Sequence, residues 1–240
     1  SLFVDFAQIQ SGSDDAIEDA EAIENDQAES RGATSQCPVI TTDAARGVYP
    51  VNITIDFGTV CIGPDGKTRS GKIITHFSDN PRNYGSTKST NFESYSVDGV
   101  SISGSKTTSN NGLDNSGRLN LSRVVTLTLS FSEGTTVTRT GNHTLVLLDG
   151  QDTAIRIDDI WQITGSDQIT RRDNSTFTST ILTPLVKKIS CNWIVSGTTS
   201  IAGSRGEGVL DFGDGTCDDL GTITTTDGTV ININLRHWRR

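Results

Sequence analysis

The sequence predicts an all-β protein, an antiparallel meander that forms a large twisted sheet, a sandwich or a partly open barrel. Short runs rich in Val, Ile and Thr alternate with polar residues from residue 37 onward, as in strands with one wet face. Asp-Gly pairs at 98–99, 149–150 and 227–228 separate several runs, and such pairs are typical of tight hairpins. No window of 12 residues after residue 37 has helical periodicity.

Twelve strands can be placed in order from this alternation and from the Gly-containing turns between the runs. The clearest hairpin is GTITTTDGTVININL at 221–235, where Asp227 and Gly228 form the turn. The predicted strands cover 51–57, 72–77, 92–97, 100–106, 123–131, 144–148, 154–164, 175–183, 185–195, 207–212, 221–226 and 229–235.

The chain divides into an acidic leader, 1–36, and a single β domain, 37–240. Residues 1–30 contain nine acids and no Lys or Arg, whereas the remaining 210 residues are neutral, with 20 acids and 20 bases. A neutral body argues against nucleic acid as a partner. Ile17, Ala20 and Ile23 follow Ser13 at near-helical spacing, so the leader is either a short acidic helix or a disordered tail.

Four cysteines frame a unit at each end of the β domain, and both units end in nearly the same phrase, DFGTVC and DFGDGTC. Cys37 and Cys61 have 23 residues between them, and Cys191 and Cys217 have 25. Two local disulfides are the favoured pairing among the three that four cysteines allow. A zinc site is the rival interpretation, but the paired short spacings of zinc ligands are missing. Disulfides indicate an oxidising compartment.

The acidic cluster near the second disulfide is the one candidate metal site. Asp211, Asp214, Asp218 and Asp219 lie within nine residues, and such a density of carboxylates with intervening glycines can suit calcium. A plain acidic turn is the favoured interpretation because the full spacing of a calcium loop is absent. No other motif predicts a metal, a cofactor or a catalytic centre, so the sequence predicts no enzyme.

The aromatic residues and the chain ends supply candidate contacts. Trp161 and Trp193 lie in predicted strands and are expected in the core, whereas Trp238, in RHWRR at 236–240, is expected to be exposed. Trp238 is therefore a candidate partner contact, as are the leader residues Asp14, Asp15 and Glu18. No run approaches the ~20 apolar residues that span a bilayer, so no transmembrane segment is predicted.

The C-terminal phrase VLDFGDGTCDDLGTITTTDGTVINI resembles that of a group of Bacteroidota envelope proteins, often lipoproteins, in which Asp-Phe/Tyr-Gly-x-Gly-x-Cys-Asp precedes a hairpin. The resemblance maps onto Asp211, Phe212, Gly213, Gly215, Cys217 and Asp218, and it covers 37–61 and 185–235 best. It implies secretion and residence in the outer envelope, without a known catalytic activity.

Two shorter stretches extend this resemblance. SGSDD at 11–15 is similar to the signal that sends lipoproteins of this phylum to the cell surface. DTA at 152–154 resembles the O-glycosylation signal of the same phylum, which would make Thr153 a glycan site.

The sequence therefore predicts a non-enzymatic, extracytoplasmic binding or accessory protein at the outer-membrane surface or in the periplasm, associated with an outer-membrane protein assembly. A carbohydrate-binding or adhesive surface module is the first alternative, which exposed Trp or Tyr residues in line on one sheet face would favour. An unrecognised glycoside hydrolase is the second, because two carboxylates distant in sequence can meet in the fold.

Overall fold

The computed structural model describes residues 37–63, 66–153, 156–204 and 206–235. The predicted leader, 1–36, and Trp238 lie outside the described residues, and so do the candidate contacts Asp14, Asp15 and Glu18. The described residues form fourteen strands and one short 3-10 turn, Arg156–Asp158. The strands are β1 (Val39–Thr42), β2 (Val51–Asp56), β3 (Cys61–Ile62), β4 (Thr68–Phe77), β5 (Thr87–Val97), β6 (Val100–Leu113), β7 (Leu119–Ser130), β8 (Thr136–Asp149), β9 (Ile160–Thr170), β10 (Thr176–Lys188), β11 (Ile194–Gly203), β12 (Gly206–Asp214), β13 (Leu220–Thr225) and β14 (Val230–Asn234).

All fourteen strands belong to one antiparallel sheet. The strands neighbour one another in chain order from β1 to β14, except that β3 pairs only with β4 at the side of this path. Within the described residues the end strands β1 and β14 do not pair with each other, so the sheet is open. These findings confirm the all-β fold class, and the observed arrangement is the large single sheet among the three that the sequence allows.

One face of the sheet holds the core. In an antiparallel pair, residues directly opposite one another point to the same face. The register places Leu127, Arg139, Ile169 and Phe177 opposite one another across β7 to β10, and all four are buried. We call this the inner face. Its opposite, the outer face, carries exposed polar side chains such as Thr140, so the predicted alternation becomes a buried face and a wet face.

The apolar core extends across most of the width of the inner face. It includes Ile55 on β2, Ile73 on β4, Ile201 on β11 and Ile223 on β13, all almost fully buried. Burial of such a side chain contributes about 1.5–3 kcal/mol, and branched residues pack well against their cross-strand neighbours. Successive strands are therefore held in register by one continuous strip of apolar contacts.

The Asp-Gly turn at 98–99 forms as the sequence predicts. Asp98 and Gly99 have φ angles of 48° and 81°, and they join Val97 directly to Val100 as a two-residue hairpin between β5 and β6. Positive φ at both central positions defines a type I′ turn, which glycine and aspartate tolerate better than most residues. The predicted hairpin at 221–235 is also present, as β13 and β14.

Two of the predicted strands are wrong. The strand predicted at 185–195 is divided, because β10 ends at Lys188 and β11 begins only at Ile194. The chain turns between these strands, where Cys191 forms a disulfide with Cys217. The amide of Cys191 also donates a hydrogen bond to the carbonyl of Lys188. The strand predicted at 154–164 begins late, at Ile160, because a 3-10 turn precedes it.

The described cysteines form the favoured disulfides, Cys37–Cys61 and Cys191–Cys217, with Cα atoms 5.8 Å apart in each. Cys61 and Cys191 are almost fully buried. Two disulfides indicate an oxidising, extracytoplasmic environment. None of the described residues forms a helix long and apolar enough to cross a bilayer.

Replacing Cys191 and Cys217 together with alanine should lower the free energy of unfolding by about 2–5 kcal/mol, because the bond removes conformational freedom from the unfolded chain. Guanidinium unfolding of the variant and the native protein measures this loss. The double replacement of Cys37 and Cys61 should cost a similar amount, since the two sequence separations, 24 and 26, are nearly equal. A midpoint unchanged by either replacement would contradict a stabilising role for the disulfides.

Candidate functional site

The inner face carries a buried ionic cluster of Arg139, His143 and Asp167. Arg139 donates from Nε to Asp167 Oδ1 over 2.7 Å. His143 Nε2 lies 3.0 Å from the second carboxylate oxygen, Oδ2, and donates to it when the carboxylate is ionised. The three side chains are at most 8% exposed. Each carboxylate oxygen of Asp167 therefore forms a hydrogen bond with a different nitrogen donor.

Neighbouring strands position this cluster, and glycines make room for it. Arg139 and His143 are four residues apart on β8, and alternate residues of a strand point to the same face. Both therefore share the inner face with Asp167 on β9. Gly141, between them on the same face, lies directly opposite Asp167. A Cβ at Gly141 would overlap Asp167 Oδ1. The carboxylate therefore occupies the space that a side chain at residue 141 would fill.

The pKa of Asp167 reflects two opposing effects. Burial disfavours the charged carboxylate and raises the pKa, but the positive charge of Arg139 and the hydrogen bond from His143 lower it. The net result lowers the pKa from 3.8 to about 2. Asp167 is therefore ionised throughout the physiological range. It serves as a fixed negative charge that holds Arg139 and orients the His143 imidazole.

Three more cations are buried elsewhere in the described residues: Arg69 on β4, Lys106 on β6 and Arg171 directly after β9. We call Arg69, Lys106, Arg139 and Arg171 together the cation belt; each is at most 6% exposed. Lys106 lies opposite Val125, which lies opposite Gly141, and therefore shares the inner face. The guanidinium of Arg171 lies over the Phe177 ring, 4.7 Å from its centroid, at cation–π distance.

The four aspartates of the predicted acidic cluster do not form a metal site. Within the described residues no group of three acidic, histidine or cysteine side chains is arranged to hold a metal ion. Asp211, Asp214 and Asp218 instead each accept a backbone N–H two residues further on. Asp219 accepts through its carbonyl oxygen from Leu235. Three of the four carboxylates are therefore engaged in local turns of the chain.

Thr153, the predicted glycan site, lies half-buried in the loop after β8. Its hydroxyl donates to Asp158 Oδ1 over 3.1 Å and to the Gly150 carbonyl over 3.3 Å. Arg82 donates to the carbonyl oxygen of Thr153 over 3.1 Å. A glycan on this hydroxyl would have to displace the contact with Asp158.

The two tryptophans of the described residues, Trp161 and Trp193, do not form an exposed row. Trp161 is half-buried on β9, and Trp193 packs partly buried against the core. Of the large hydrophobic side chains that are exposed within the described residues, Tyr84 is the aromatic one, at 81%. The aligned aromatic platform that would favour sugar binding is therefore absent from the described part of the sheet.

The ionic cluster has no recognisable motif in the sequence. Arg139 and His143 occur in TVTRTGNHT at 136–144, where the alternation predicts that alternate residues face the core. The one signal of the cluster in the sequence is a charged residue at a position that the alternation directs toward the core. Its partner, Asp167, is 28 residues from Arg139, so that only the pairing of β8 with β9 brings the charges together.

The β14 edge of the sheet is the second feature suited to binding. β14 pairs with β13 on one side and has no strand on its other side within the described residues. Val230 and Ile231 on this strand are 61% and 44% exposed. β14 contains no charged residue and no proline, the devices that commonly protect an edge strand from pairing.

No known protein-family model matches the chain, and searches of curated protein sequences and of solved structures find no significant match.

Proposed function

We propose that this protein is a non-enzymatic, extracytoplasmic binding protein that takes an extended segment of a protein partner at the β14 edge. The observation that carries this proposal is the uncharged, partly apolar edge of β14, with Val230 and Ile231 exposed. A partner strand added there would form main-chain hydrogen bonds with β14 and extend the sheet. The exposed apolar side chains would add contact area to those hydrogen bonds.

The proposed partner belongs to an outer-membrane protein assembly. The two disulfides support a compartment outside the cytoplasm. The similarity of the C-terminal phrase to Bacteroidota envelope proteins supports the outer envelope within that compartment. In this proposal the disulfide-stabilised sheet acts as a rigid scaffold that presents its edge to the partner.

Replacing Ile231 with lysine should reduce partner binding at least tenfold, because a charge on an edge strand opposes the addition of another strand. The side chain is 44% exposed, so the stability of the fold should change by less than about 0.5 kcal/mol. Affinity purification of full-length tagged protein from native envelopes, with quantitative mass spectrometry, identifies the partner. Titration of that purified partner then gives the affinity.

Val124→Lys is the matched control. Val124 is 50% exposed, but it lies on the central strand β7, far from either end of the sheet. Full binding by this control and weak binding by Ile231→Lys would support partner binding at the β14 edge. Equal loss in both variants would contradict binding at the β14 edge, and recovery of the protein alone would overturn the proposal of a stable partner.

A further inference from the structure

The outer side of β14 presents main-chain groups that no strand of the described residues covers. At the end of this strand the amide of Leu235 donates to the carbonyl of Asp219 over 2.6 Å, and the register with β13 has no shift along β14. Neighbouring residues of a strand point their N–H and C=O groups to opposite sides. Odd-numbered residues of β14 therefore face β13, whereas Val230 and Asn232 direct their amides and carbonyls outward.

The direction of the edge strands favours a two-fold arrangement of two copies. The path from β1 to β14 has twelve antiparallel steps, so both edge strands run in the same direction. If the inner faces of two copies lie on the same side, β14 beside β1 of a second copy would be a parallel pair. A two-fold axis perpendicular to the sheet instead makes β14 antiparallel to β14 of the second copy. This arrangement continues the antiparallel sheet, has the more stable hydrogen-bond pattern and closes after two copies.

The residues of β14 are complementary to themselves in this arrangement. With Ile231 on the two-fold axis, its side chain faces Ile231 of the second copy, and Val230 lies opposite Asn232. Ile231 is opposite Ile223 and so points to the inner face, where pairing would remove its 44% exposed side chain from water. The axis generates two hydrogen-bonded pairs of Val230 with Asn232, which exchange about four main-chain hydrogen bonds.

We propose that two copies of this chain pair through β14, with Ile231 on the two-fold axis, and form an antiparallel dimer. The inference rests on the binding edge of the proposed function and adds a regulation to it, because the second copy covers the edge that a partner strand would take. A strand of five residues buries far less than the roughly 1,600 Å² of a stable interface. The dimer is therefore weak, forms at high protein concentration and yields to a partner that binds more tightly.

Sedimentation equilibrium of the purified full-length protein, from about 5 to 500 µM, tests the dimer by mass action. The native mass should rise from the 25.7 kDa of one chain toward twice that value. Asn232→Pro removes the outward amide, which β13 does not use, and should weaken dimerisation at least tenfold, since proline is tolerated on an edge strand. Asn232→Ala is the matched control, because it keeps that amide and should dimerise within twofold of the native protein.

A pair of charged variants tests the position of the axis. Ile231→Lys and Ile231→Glu should each dimerise at least tenfold more weakly, because like charges would then lie directly opposite one another. An equimolar mixture of the two variants should recover dimerisation, since lysine faces glutamate across the axis. Val124→Lys, on the central strand β7, is the control and should dimerise as the native protein does.

Three results would overturn the inference. The first is a native protein that keeps the mass of one chain up to 500 µM, and the second is equal weakening in Asn232→Pro and Asn232→Ala. The third is a mixture of the charged variants that stays monomeric while the native protein dimerises, and this test decides if Asn232→Pro does not fold. Dimerisation is measured without a partner, so its failure is distinct from a failure of the proposed function, which the titration of the purified partner measures.

Discussion

Replacing Asp167 with alanine should lower the free energy of unfolding by about 3–5 kcal/mol, the usual cost of removing one partner from a buried ion pair. The variant leaves the Arg139 guanidinium buried without the carboxylate that accepts its Nε–H over 2.7 Å. It also removes the acceptor of His143 Nε2. Chemical unfolding followed by tryptophan fluorescence measures the loss. Asp56→Ala is the control, because it removes an exposed ion pair with Lys72 and should change the unfolding midpoint little.

Because of the same carboxylate, the stability of the protein should depend on pH in the acidic range. The pKa of Asp167 is about 2 in the folded protein, against an ordinary value of 3.8. A lowered folded pKa means that this stabilisation is fully present above about pH 4 and is lost as the pH falls toward about 2. Tm measured from pH 6 to pH 2 should fall less steeply in Asp167→Asn than in the native protein. Identical slopes between pH 4 and pH 2 would show that the ion pair does not carry this dependence.

The fold class could be predicted because local signals agree with the global arrangement. The alternation of Val, Ile and Thr with polar residues matches the inner and outer faces, and Asp98-Gly99 supplies the turn that its hairpin needs. The cysteine spacing also led to the observed pairs. These features depend on residues close in sequence, and in a meander the neighbours in sequence are also the neighbours in the sheet.

The strand boundaries around Cys191 could not be predicted because a covalent bond overrides the local pattern. Residues 185–195 read as one apolar run with alternation, yet the disulfide to Cys217 lies within a turn between β10 and β11. β11 itself was missed because Ser, Gly and Thr occupy most of its positions, and these residues give little apolar periodicity.

The ionic cluster could not be predicted because its positions contradict the pattern that identifies the strands. Arg139 and Asp167 occupy inward positions that normally hold apolar residues. Their proximity follows from the register of β8 against β9, in which Gly141 faces Asp167. A one-residue slip of β8 would move Arg139 and His143 to the wet face, away from Asp167. The register is itself set by core residues on several strands, so no short stretch of sequence contains the information.

Replacing Gly165 with alanine should destabilise the protein by about 3 kcal/mol, through backbone strain and overpacking together. Gly165 lies on β9 with φ of +130°, a conformation that side chains disfavour. A Cβ there would overlap the carbonyl oxygen of Asn142 and lie 2.8 Å from the Cα of His143. Both neighbours are backbone atoms of β8, so relief requires a shift of β8 against β9. That shift would displace His143 from Asp167.

Gly206→Ala is the matched control for this prediction, because Gly206 has nearly the same φ, +127°. Beyond its chain neighbours, no atom of the described residues lies within 4 Å of the position that an alanine Cβ would take. Gly206→Ala should lose about 1 kcal/mol through backbone strain alone. The difference between the two variants in the free energy of unfolding, measured in guanidinium, gives the cost of the close approach between β8 and β9. The imidazole NMR signals of His143 should move in Gly165→Ala and stay in place in Gly206→Ala. Equal losses with unmoved imidazole signals would mean that the close approach at Gly165 does not position the ionic cluster.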